Sequence, residues 1–420
     1  MTTTKFKPVE EQLAYLKKGA AEIIPEPELK AKLEKSFQTG KPLRVYLGVD
    51  PTAPDIHLGH TVVLRKLKHF QDLGHTAIFL IGDFSAAIGD PTGRSETRPP
   101  LSREEVDANA KTYLDQVFKL LDKAKTEVRR NSEWLDKLSS QEIVRLCGRY
   151  SLARMLERED FRSRLDNQQP ISVHELLYPL LTAVDAVQLK SDVELGATEQ
   201  KFNLLIHRHI QREYGLEGEV AFTMPILVGL DGQRKMSKSL GNYIGITEPP
   251  AEIFGKIMSI PDDLMWNYYD LVTDRTPEEI AALKREVSTG AKHPMDVKMA
   301  LAQDVVKSFH GSLAAESARQ SFTQRFRGKE APSDLQEKEV SLAAWRSELI
   351  ADTTRIKLLK LLTRLAQTSR SEMERLIKQG AVEIDGVKVI DLGEEIDLAI
   401  PRTFLLRVGK LTLLRIAITG

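Results

Sequence analysis

The sequence has little cysteine, no long apolar run and no net charge, and each absence excludes a class of protein. The single cysteine, Cys147, cannot form an intrachain disulfide or a multi-cysteine zinc site. No run of about 18 uncharged apolar residues occurs, and Met1–Lys7 leads into polar sequence, so we expect neither a membrane span nor a secretory signal and predict a cytoplasmic location. Sixty basic residues balance sixty acidic ones. Any nucleic-acid surface must therefore be a local patch.

The length and the apolar periodicity predict a folded α/β protein of two or three domains. A chain of 420 residues, 41% of them hydrophobic, exceeds what one core usually organises. Short apolar strands alternate with helices up to about residue 245, which is typical of a Rossmann-like, doubly wound parallel sheet. The predicted strands are Leu43–Val49, Thr76–Ile81, Ala124–Arg130, Ser191–Leu195 and Glu219–Pro225. Ligands of such sheets bind beyond the carboxyl ends of the strands, where the loops 50–60, 82–98 and 231–241 fall.

The rest of the chain has a different pattern. We predict an N-terminal helical arm over 1–40 and a helical layer over 246–335, with helices at Asp296–His310 and Ser317–Phe326. A linker is expected over 336–352. Residues 353–420 read as a small α+β domain, with helices at Arg355–Leu365 and Arg370–Gln379 and a hairpin turning at Asp385-Gly386.

Two separated segments carry the residues suited to chemistry. The first, Val49–His60, places His57 and His60 three residues apart where a loop enters a helix, and Gly59 between them would let a flat nucleoside approach the backbone. Helix N-termini favour phosphate, and imidazoles add donors for developing charge. The alternative is that His57 only caps the helix and His60 lies on the surface.

The second segment, residues 232–242, has Lys235 and Lys238 in a short polar loop between glycines. This pattern suits a mobile clamp that brings ammonium groups onto a polyphosphate, although such a run is by itself usually a solvated loop.

Together the two segments resemble the signatures of class I aminoacyl-tRNA synthetases. Asp50-Pro51-Thr52 with His57-Leu58-Gly59-His60 is similar to the first, and Lys235-Met236-Ser237-Lys238-Ser239 to the second. Three further stretches resemble the bacterial tyrosyl-tRNA synthetases in particular, and the resemblance covers nearly the whole chain. They are Gly82–Arg94, Tyr178–Asp185 and Glu194–Asn203.

The resemblance implies roles for individual residues. Tyr46 and Asp185 would recognise the phenol of L-tyrosine, since phenylalanine would leave a buried donor and acceptor unpaired. The substrate ammonium would be held by Asp90, Tyr178 and Gln200. ATP would be contacted by Asp50, Thr52, His57, Gly59, His60, Gly196 and Glu199, with Arg94, Arg98, Lys235 and Lys238 on the outer phosphates.

Several of these residues also have a purely structural interpretation. Tyr46 could be a core residue, Asp90 an Asx-turn residue, and Arg94 and Arg98 solvated. Asp185 is different, because an unpaired carboxylate inside an apolar helix would be costly.

Four positions depart from the family pattern. Thr182 replaces a glutamine and Val184 a tyrosine, so contact with the α-amino group differs. Ala197 and Glu199 replace glycine and aspartate, which remodels the ribose contact by one methyl and one methylene.

The C-terminal region supplies a predicted RNA-binding surface. Ser369–Gly380 with the hairpin that follows resembles the αL RNA-binding motif, and Arg370, Arg375 and Lys378 would grip phosphates. A solvated amphipathic helix is the alternative interpretation of the charge pattern. The resemblance further implies that residues 41–245 hold a dimer-forming insertion and that 246–335 bind the anticodon.

The predicted function is that of a tyrosine–tRNA ligase. The enzyme would activate L-tyrosine with ATP to tyrosyl-adenylate, release pyrophosphate and transfer tyrosyl to the 3′ end of tRNA(Tyr). Mg²⁺ would arrive with ATP without a dedicated protein site, and the enzyme would be a homodimer. The alternatives are a tryptophanyl-tRNA synthetase and a non-catalytic, synthetase-like RNA-binding protein.

Overall fold

The computed structural model describes residues 6–52, 55–90, 102–327, 337–350, 353–366, 368–409 and 412–419. The chain divides into two compact units, Met1–Arg319 and Gln320–Gly420.

The first unit is built on a six-stranded sheet. Five strands are parallel, as predicted, and their order identifies a doubly wound sheet: β1-β6-β5-β2-β3-β4. The short β1 joins β6 in antiparallel orientation. The strands are β1 (Glu22–Ile24), β2 (Arg44–Val49), β3 (Thr76–Ile81), β4 (Thr126–Arg130), β5 (Val193–Ala197) and β6 (Val220–Met224).

Helices connect these strands. Where a serine precedes a glutamate by three residues, the two form a reciprocal cap, as the predicted pair of Ser102 and Glu105 does at the start of α5. The helices are α1 (Val9–Lys17), α2 (Glu26–Thr39), α3 (Leu58–Asp72), α4 (Asp83–Ile88), α5 (Arg103–Val117), α6 (Ser132–Leu135), α7 (Ser140–Cys147), α8 (Leu152–Met155), α9 (Glu159–Asp166), α10 (Val173–Leu189) and α11 (Lys201–Glu213).

Two local predictions in this unit were wrong. The N-terminal arm is not purely helical, because β1 separates α1 from α2; three residues are too few to show an alternating pattern. The loop expected from residue 82 begins instead with α4, a helix of six residues.

A helical segment follows the sheet, and up to Arg319 it belongs to the same compact unit. It contains α12 (Pro250–Ser259), α13 (Leu264–Val272), α14 (Pro277–Ser288) and α15 (Pro294–Arg327). The two helices predicted within 296–326 are one element with a break at Gly311, whose φ of 83° lies in the left-handed region. No helix in the described part of the chain is long and apolar enough to cross a membrane.

The second unit is an α+β fold with more strands than the sequence indicated. A five-stranded sheet has the order β10-β9-β12-β13-β7, and β11 pairs with β8. The elements are β7 (Glu337–Val340), β8 (Arg355–Lys357), α16 (Leu358–Leu365), α17 (Arg370–Lys378), β9 (Val382–Ile384), β10 (Val387–Lys388), β11 (Glu395–Asp397), β12 (Arg402–Val408) and β13 (Thr412–Ile418).

The predicted hairpin at Asp385-Gly386 is confirmed as the β9–β10 pair. Two other predictions need correction. Glu337–Val340, placed in the linker, pairs in parallel with β13, and Arg355–Lys357, placed in a helix, is β8. The strands β11 to β13 were missed.

Candidate active site

A cavity of about 750 Å³ lies beyond the carboxyl ends of β2, β3 and β5. This is where ligands of doubly wound sheets bind. Most of the predicted site residues line it, although they come from segments as far apart as β2 and the loop after β6. They are Tyr46, Asp50, Thr52, Gly59, His60, Asp90, Tyr178, Asp185, Glu199, Gln200 and Lys235.

The two signature histidines cap the helix that they begin. Nδ1 of His57 accepts from the Gly59 amide at 3.2 Å, and Nδ1 of His60 accepts from the His57 amide at 3.2 Å. A neutral imidazole that accepts at Nδ1 carries its proton at Nε2. Each histidine therefore keeps an Nε2–H donor, so the capping alternative and the functional one are compatible.

The surroundings keep both rings neutral. Burial, followed by the charges of His60 and Lys238, lowers the pKa of His57 to about 3. The surrounding protein and Lys238 lower the pKa of His60 to about 4. Gly59 leaves no room for a side chain here, since a Cβ would lie 2.9 Å from the His57 ring.

The lysine-bearing loop, residues 231–241, is folded against the site. The Asp231 carboxylate accepts from the amides of Gln233 and Arg234, which lowers its pKa below the usual range. Lys235 forms a 2.9 Å ion pair with Glu199, and Lys238 donates to the carbonyl of Asp55 at 2.8 Å. Lys235 thus lines the cavity, and Lys238 lies beside the segment that leads into the first signature helix.

The residues expected to hold the substrate ammonium form a second group. The Tyr178 hydroxyl donates to Oδ2 of Asp50 at 2.9 Å, and Oδ1 of Asp50 accepts from Ser85 at 2.7 Å. The side-chain oxygen of Gln200 accepts from the Ala197 amide at 3.0 Å, which leaves its NH₂ group to other partners. Asp50 therefore belongs to the Tyr178 cluster as well as to the first signature.

Asp185 is buried and holds two donors. Nε1 of Trp134 donates to Oδ1 at 2.7 Å, and Nδ2 of Asn131 donates to Oδ2 at 3.3 Å. Burial raises the pKa of Asp185 well above its usual range, and the two N–H groups oppose this shift. The carboxyl is held in one orientation, facing the cavity with lone pairs to spare.

Tyr46 is 1% exposed and belongs to a separate polar network. Its hydroxyl lies 3.5 Å from Nδ1 of His207 and hydrogen bonds the carboxyl of Glu194. His207 in turn contacts Glu194 at 2.9 Å through Nδ1 and Thr182 at 2.9 Å through Nε2. Tyr46 and Asp185, the two residues predicted to recognise the phenol, therefore line the same cavity but belong to different hydrogen-bond networks.

Several functional side chains were missed from the sequence. Glu194 and His207 line the cavity, while Asn131 and Trp134 fix Asp185. An acidic residue inside an otherwise apolar buried strand was the available signal for Glu194. Trp134 gave no signal, because a tryptophan in a short helix is usually a core residue.

The remaining predicted residues lie elsewhere. Gly196 lies on β5, where a Cβ would contact Leu204 at 3.0 Å. Arg94 and Arg98 lie outside the described residues. Arg370, Arg375 and Lys378 share the exposed side of α17, where Arg370 pairs with Glu374 and Arg375 with Glu372.

Comparisons with known proteins agree with this geometry. Residues 38–327 match the family described as tRNA synthetases class I (W and Y). The chain is 52% identical over 98% of its length to the tyrosine–tRNA ligase of Oleidesulfovibrio alaskensis, 99% of which is covered, and 52% identical over 93% to that of Moorella thermoacetica, 92% of which is covered.

Solved structures give the same result for the fold. A tyrosyl-tRNA synthetase from Archaeoglobus fulgidus, complexed with L-tyrosine, superposes with a TM-score of 0.59 at 26% identity, covering 74% of this chain and 99% of that one. A truncated mitochondrial tyrosyl-tRNA synthetase from Aspergillus nidulans gives 0.64 at 24% identity, covering 76% and 94%. The cavity, the two signatures and these matches together assign the chain to the class I tRNA synthetases of the tryptophan and tyrosine family.

Proposed function

We propose that this chain is a tyrosine–tRNA ligase that activates L-tyrosine with ATP and transfers it to tRNA(Tyr). The observation that carries the proposal is a single cavity lined by Tyr46 and Asp185 together with His60 and Lys235. A pocket for a phenol and a set of donors for a polyphosphate are thereby adjacent. The curated relatives at about half identity over nearly the full chain bear the name of this activity.

In the first step, the tyrosine carboxylate attacks the α-phosphorus of ATP and pyrophosphate leaves. No protein nucleophile is required. The Nε2–H groups of His57 and His60, with the ammonium groups of Lys235 and Lys238, would stabilise the negative charge that grows on the phosphates. Lys235 must exchange Glu199 for phosphate to do this, which an exposed ion pair permits because such pairs contribute little stability.

Tyrosine would be oriented by its two polar ends. The phenol would contact Tyr46 and Asp185, and the ammonium would contact the cluster of Asp50, Asp90, Tyr178 and Gln200. The replacement of a glutamine by Thr182 removes one amide from this region, and the Thr182 hydroxyl already donates to the Tyr178 carbonyl at 2.9 Å. Asp50 and Asp90 therefore carry more of the ammonium contact.

Two further parts of the proposal come from the family. ATP would bring Mg²⁺ on its phosphates, and two chains would act as a homodimer. Residues 246–335 and the α17 surface would hold tRNA, whose terminal ribose hydroxyl attacks the adenylate carbonyl, so that the tyrosyl ester forms and AMP leaves. An increased salt sensitivity of tRNA binding would accompany the phosphate contacts.

Tyrosine-dependent exchange of labelled pyrophosphate into ATP tests the activation step. Wild-type protein should exchange with tyrosine and not with tryptophan, which separates the two members of the family. Asp185→Asn replaces one carboxylate oxygen with an NH₂ group, which would either face an N–H donor or cost the hydrogen bond from Trp134. KM for tyrosine should therefore rise about 30- to 150-fold, as expected for 2–3 kcal/mol.

Asp136→Asn is the matched control, because Asp136 pairs with Arg103 on the exposed surface and should leave KM unchanged. Wild-type protein that binds tRNA but exchanges no pyrophosphate with any amino acid would instead support a non-catalytic RNA-binding protein.

A further inference from the structure

The structure assigns to Glu194, acting through Tyr46, the control of hydroxyl recognition: a protonated Glu194 frees the Tyr46 hydroxyl to donate to the substrate phenol, and an ionised Glu194 captures that donor. Glu194 is thereby a positioning residue for specificity. This inference rests on the proposed function and extends it to residues that neither signature contains.

Glu194 lies beside both Tyr46 and His207. Its side chain is buried on β5, next to β2, where it contacts Nδ1 of His207, the Glu219 carboxyl and the Tyr46 hydroxyl. Tyr46, Glu194 and His207 all line the cavity. A change in one proton on this carboxyl therefore acts directly on the hydroxyl expected to meet the substrate.

When Glu194 holds a proton, the hydrogen bonds around it follow from the donors of Thr182, His207 and Glu194 itself. The Thr182 hydroxyl donates to the Tyr178 carbonyl, so its contact with Nε2 of His207 is one in which the ring donates. Nδ1 then has only a lone pair, which accepts the proton of the Glu194 carboxyl. The remaining carbonyl oxygen of Glu194 is a weaker acceptor than a carboxylate, so the Tyr46 hydroxyl can donate into the cavity instead.

The hydrogen bonds change when Glu194 is ionised. The carboxylate is then an acceptor only, so the nearby hydroxyl of Tyr46 can donate to it. His207 can also donate to it once its proton moves from Nε2 to Nδ1 and the Thr182 hydroxyl turns to donate to Nε2. Tyr46 now presents a lone pair to the cavity. The Asp185 oxygens already accept from Trp134 and Asn131, so a phenol would lie between two acceptors and lose one hydrogen bond.

The groups that face Glu194 come from four elements. They are Tyr46 on β2, Asp185 on α10, His207 on α11 and Glu219 immediately before β6. Burial raises the pKa of Glu194 to about 7, and burial with the charge of Glu194 raises the pKa of Glu219 well above its usual range. Burial also lowers the pKa of His207 to about 4, so the imidazole is neutral around pH 7.

The experiment compares kcat/KM for L-tyrosine with kcat/KM for L-phenylalanine in pyrophosphate exchange between pH 6 and pH 8. Titration of the amino acid backbone cancels in this ratio, because both substrates share it. The protonated fraction of a group with a pKa of about 7 falls about tenfold over this interval, so the tyrosine preference should fall by up to about tenfold. KM for ATP should not follow it.

Two variants should fix the preference for tyrosine over phenylalanine at opposite ends of its wild-type range. Glu194→Gln cannot ionise, so its tyrosine preference should be independent of pH and at the high, acidic value of the wild type. Tyr46→Phe has no donor to lose, so its preference should be independent of pH and low. Glu127→Gln, whose carboxylate pairs with Arg44 in the same sheet, should keep the wild-type profile.

A wild-type preference that does not change with pH overturns the inference even if a variant fails to fold. A Glu194→Gln variant that keeps the wild-type pH dependence also overturns it. Either result leaves the proposed function standing, because that function fails only if tyrosine supports no exchange at any pH.

Discussion

The Tyr178 hydroxyl donates to Oδ2 of Asp50 at 2.9 Å, and this bond links α10 to the residue that follows β2. Both residues line the cavity, and both are expected near the substrate ammonium. Tyr178→Phe removes the hydroxyl and with it one of the hydrogen bonds that hold the Asp50 carboxylate. With a hydrogen bond to a charged group worth about 1.5–3 kcal/mol, KM for tyrosine should rise about 10- to 150-fold in pyrophosphate exchange.

Tyr15→Phe is the control for this change. Its hydroxyl contacts Asp72 at the surface, 3.5 Å away, so the same chemical substitution should leave both KM values unchanged. If KM for ATP rather than tyrosine rises in Tyr178→Phe, the hydroxyl serves the nucleotide and not the ammonium.

Lys235 is predicted to act on the phosphates and not on tyrosine. Lys235→Ala removes an ammonium that the loop places at the cavity, and kcat of exchange should fall about 100- to 1,000-fold, as for other groups that stabilise developing charge. KM for tyrosine should stay within about twofold. Lys201→Ala, which breaks the comparable surface pair with Glu22, should leave kcat unchanged. A rise in KM for tyrosine without a fall in kcat would contradict the assigned role.

The parallel sheet could be predicted because strands such as β3 and β6 are buried on both faces. Thr76–Ile81 is a continuous apolar run, and its bounds are those of β3. The strands β12 and β13, of seven residues each, were missed although Arg407 and Arg415 occupy the less buried positions of an alternating pattern, which was the available signal. Short strands such as β1 carry too few residues for any periodicity.

Much of the site could also be predicted, because the residue types at the strand ends are unusual for loops. The partners of those residues could not. Trp134 reaches Asp185 and His207 reaches Glu194 only after helices pack on the sheet, and no spacing in the sequence reports that contact. Glu194 lay in a stretch that resembled the family, but an ionisable group in a strand gives no direction for its side chain.

The RNA surface of α17 can be tested apart from the catalytic site. Lys378 is exposed in the last turn of α17, whereas Arg370 and Arg375 pair with glutamates on the same helix. Lys378→Ala should raise KM for tRNA in aminoacylation and reduce the slope of log affinity against log salt by about 1, the loss of one phosphate contact. Pyrophosphate exchange should not change. Lys360→Ala is the control, because Lys360 is an exposed lysine of α16 that pairs with Glu348. Equal effects of the two variants would favour a solvated helix over an RNA contact.

His69 should make the stability of the first unit depend on pH. The ring is 4% exposed, packs against Tyr15 in a tilted arrangement with centroids 4.5 Å apart, and has no hydrogen-bond partner for either ring nitrogen within the described residues. Burial, with Lys66, Lys18 and Arg65 nearby, lowers the pKa of His69 to about 2. The folded protein therefore leaves this ring unprotonated where the unfolded chain, with a pKa near 6.5, binds a proton.

The sign follows from the proton count. Above pH 6.5 neither state binds the proton and the folded state keeps its full stability; as pH falls towards the folded pKa, each unit removes about 1.4 kcal/mol. His69→Phe keeps an aromatic ring against Tyr15 and removes the titration, so the loss of unfolding free energy between pH 6.5 and 5 should shrink by up to about 2 kcal/mol in urea melts. His174→Phe, at an exposed position, should retain the wild-type slope. An unchanged slope in His69→Phe would mean that the ring is protonated in the folded state, with an ion pair or water serving its nitrogens.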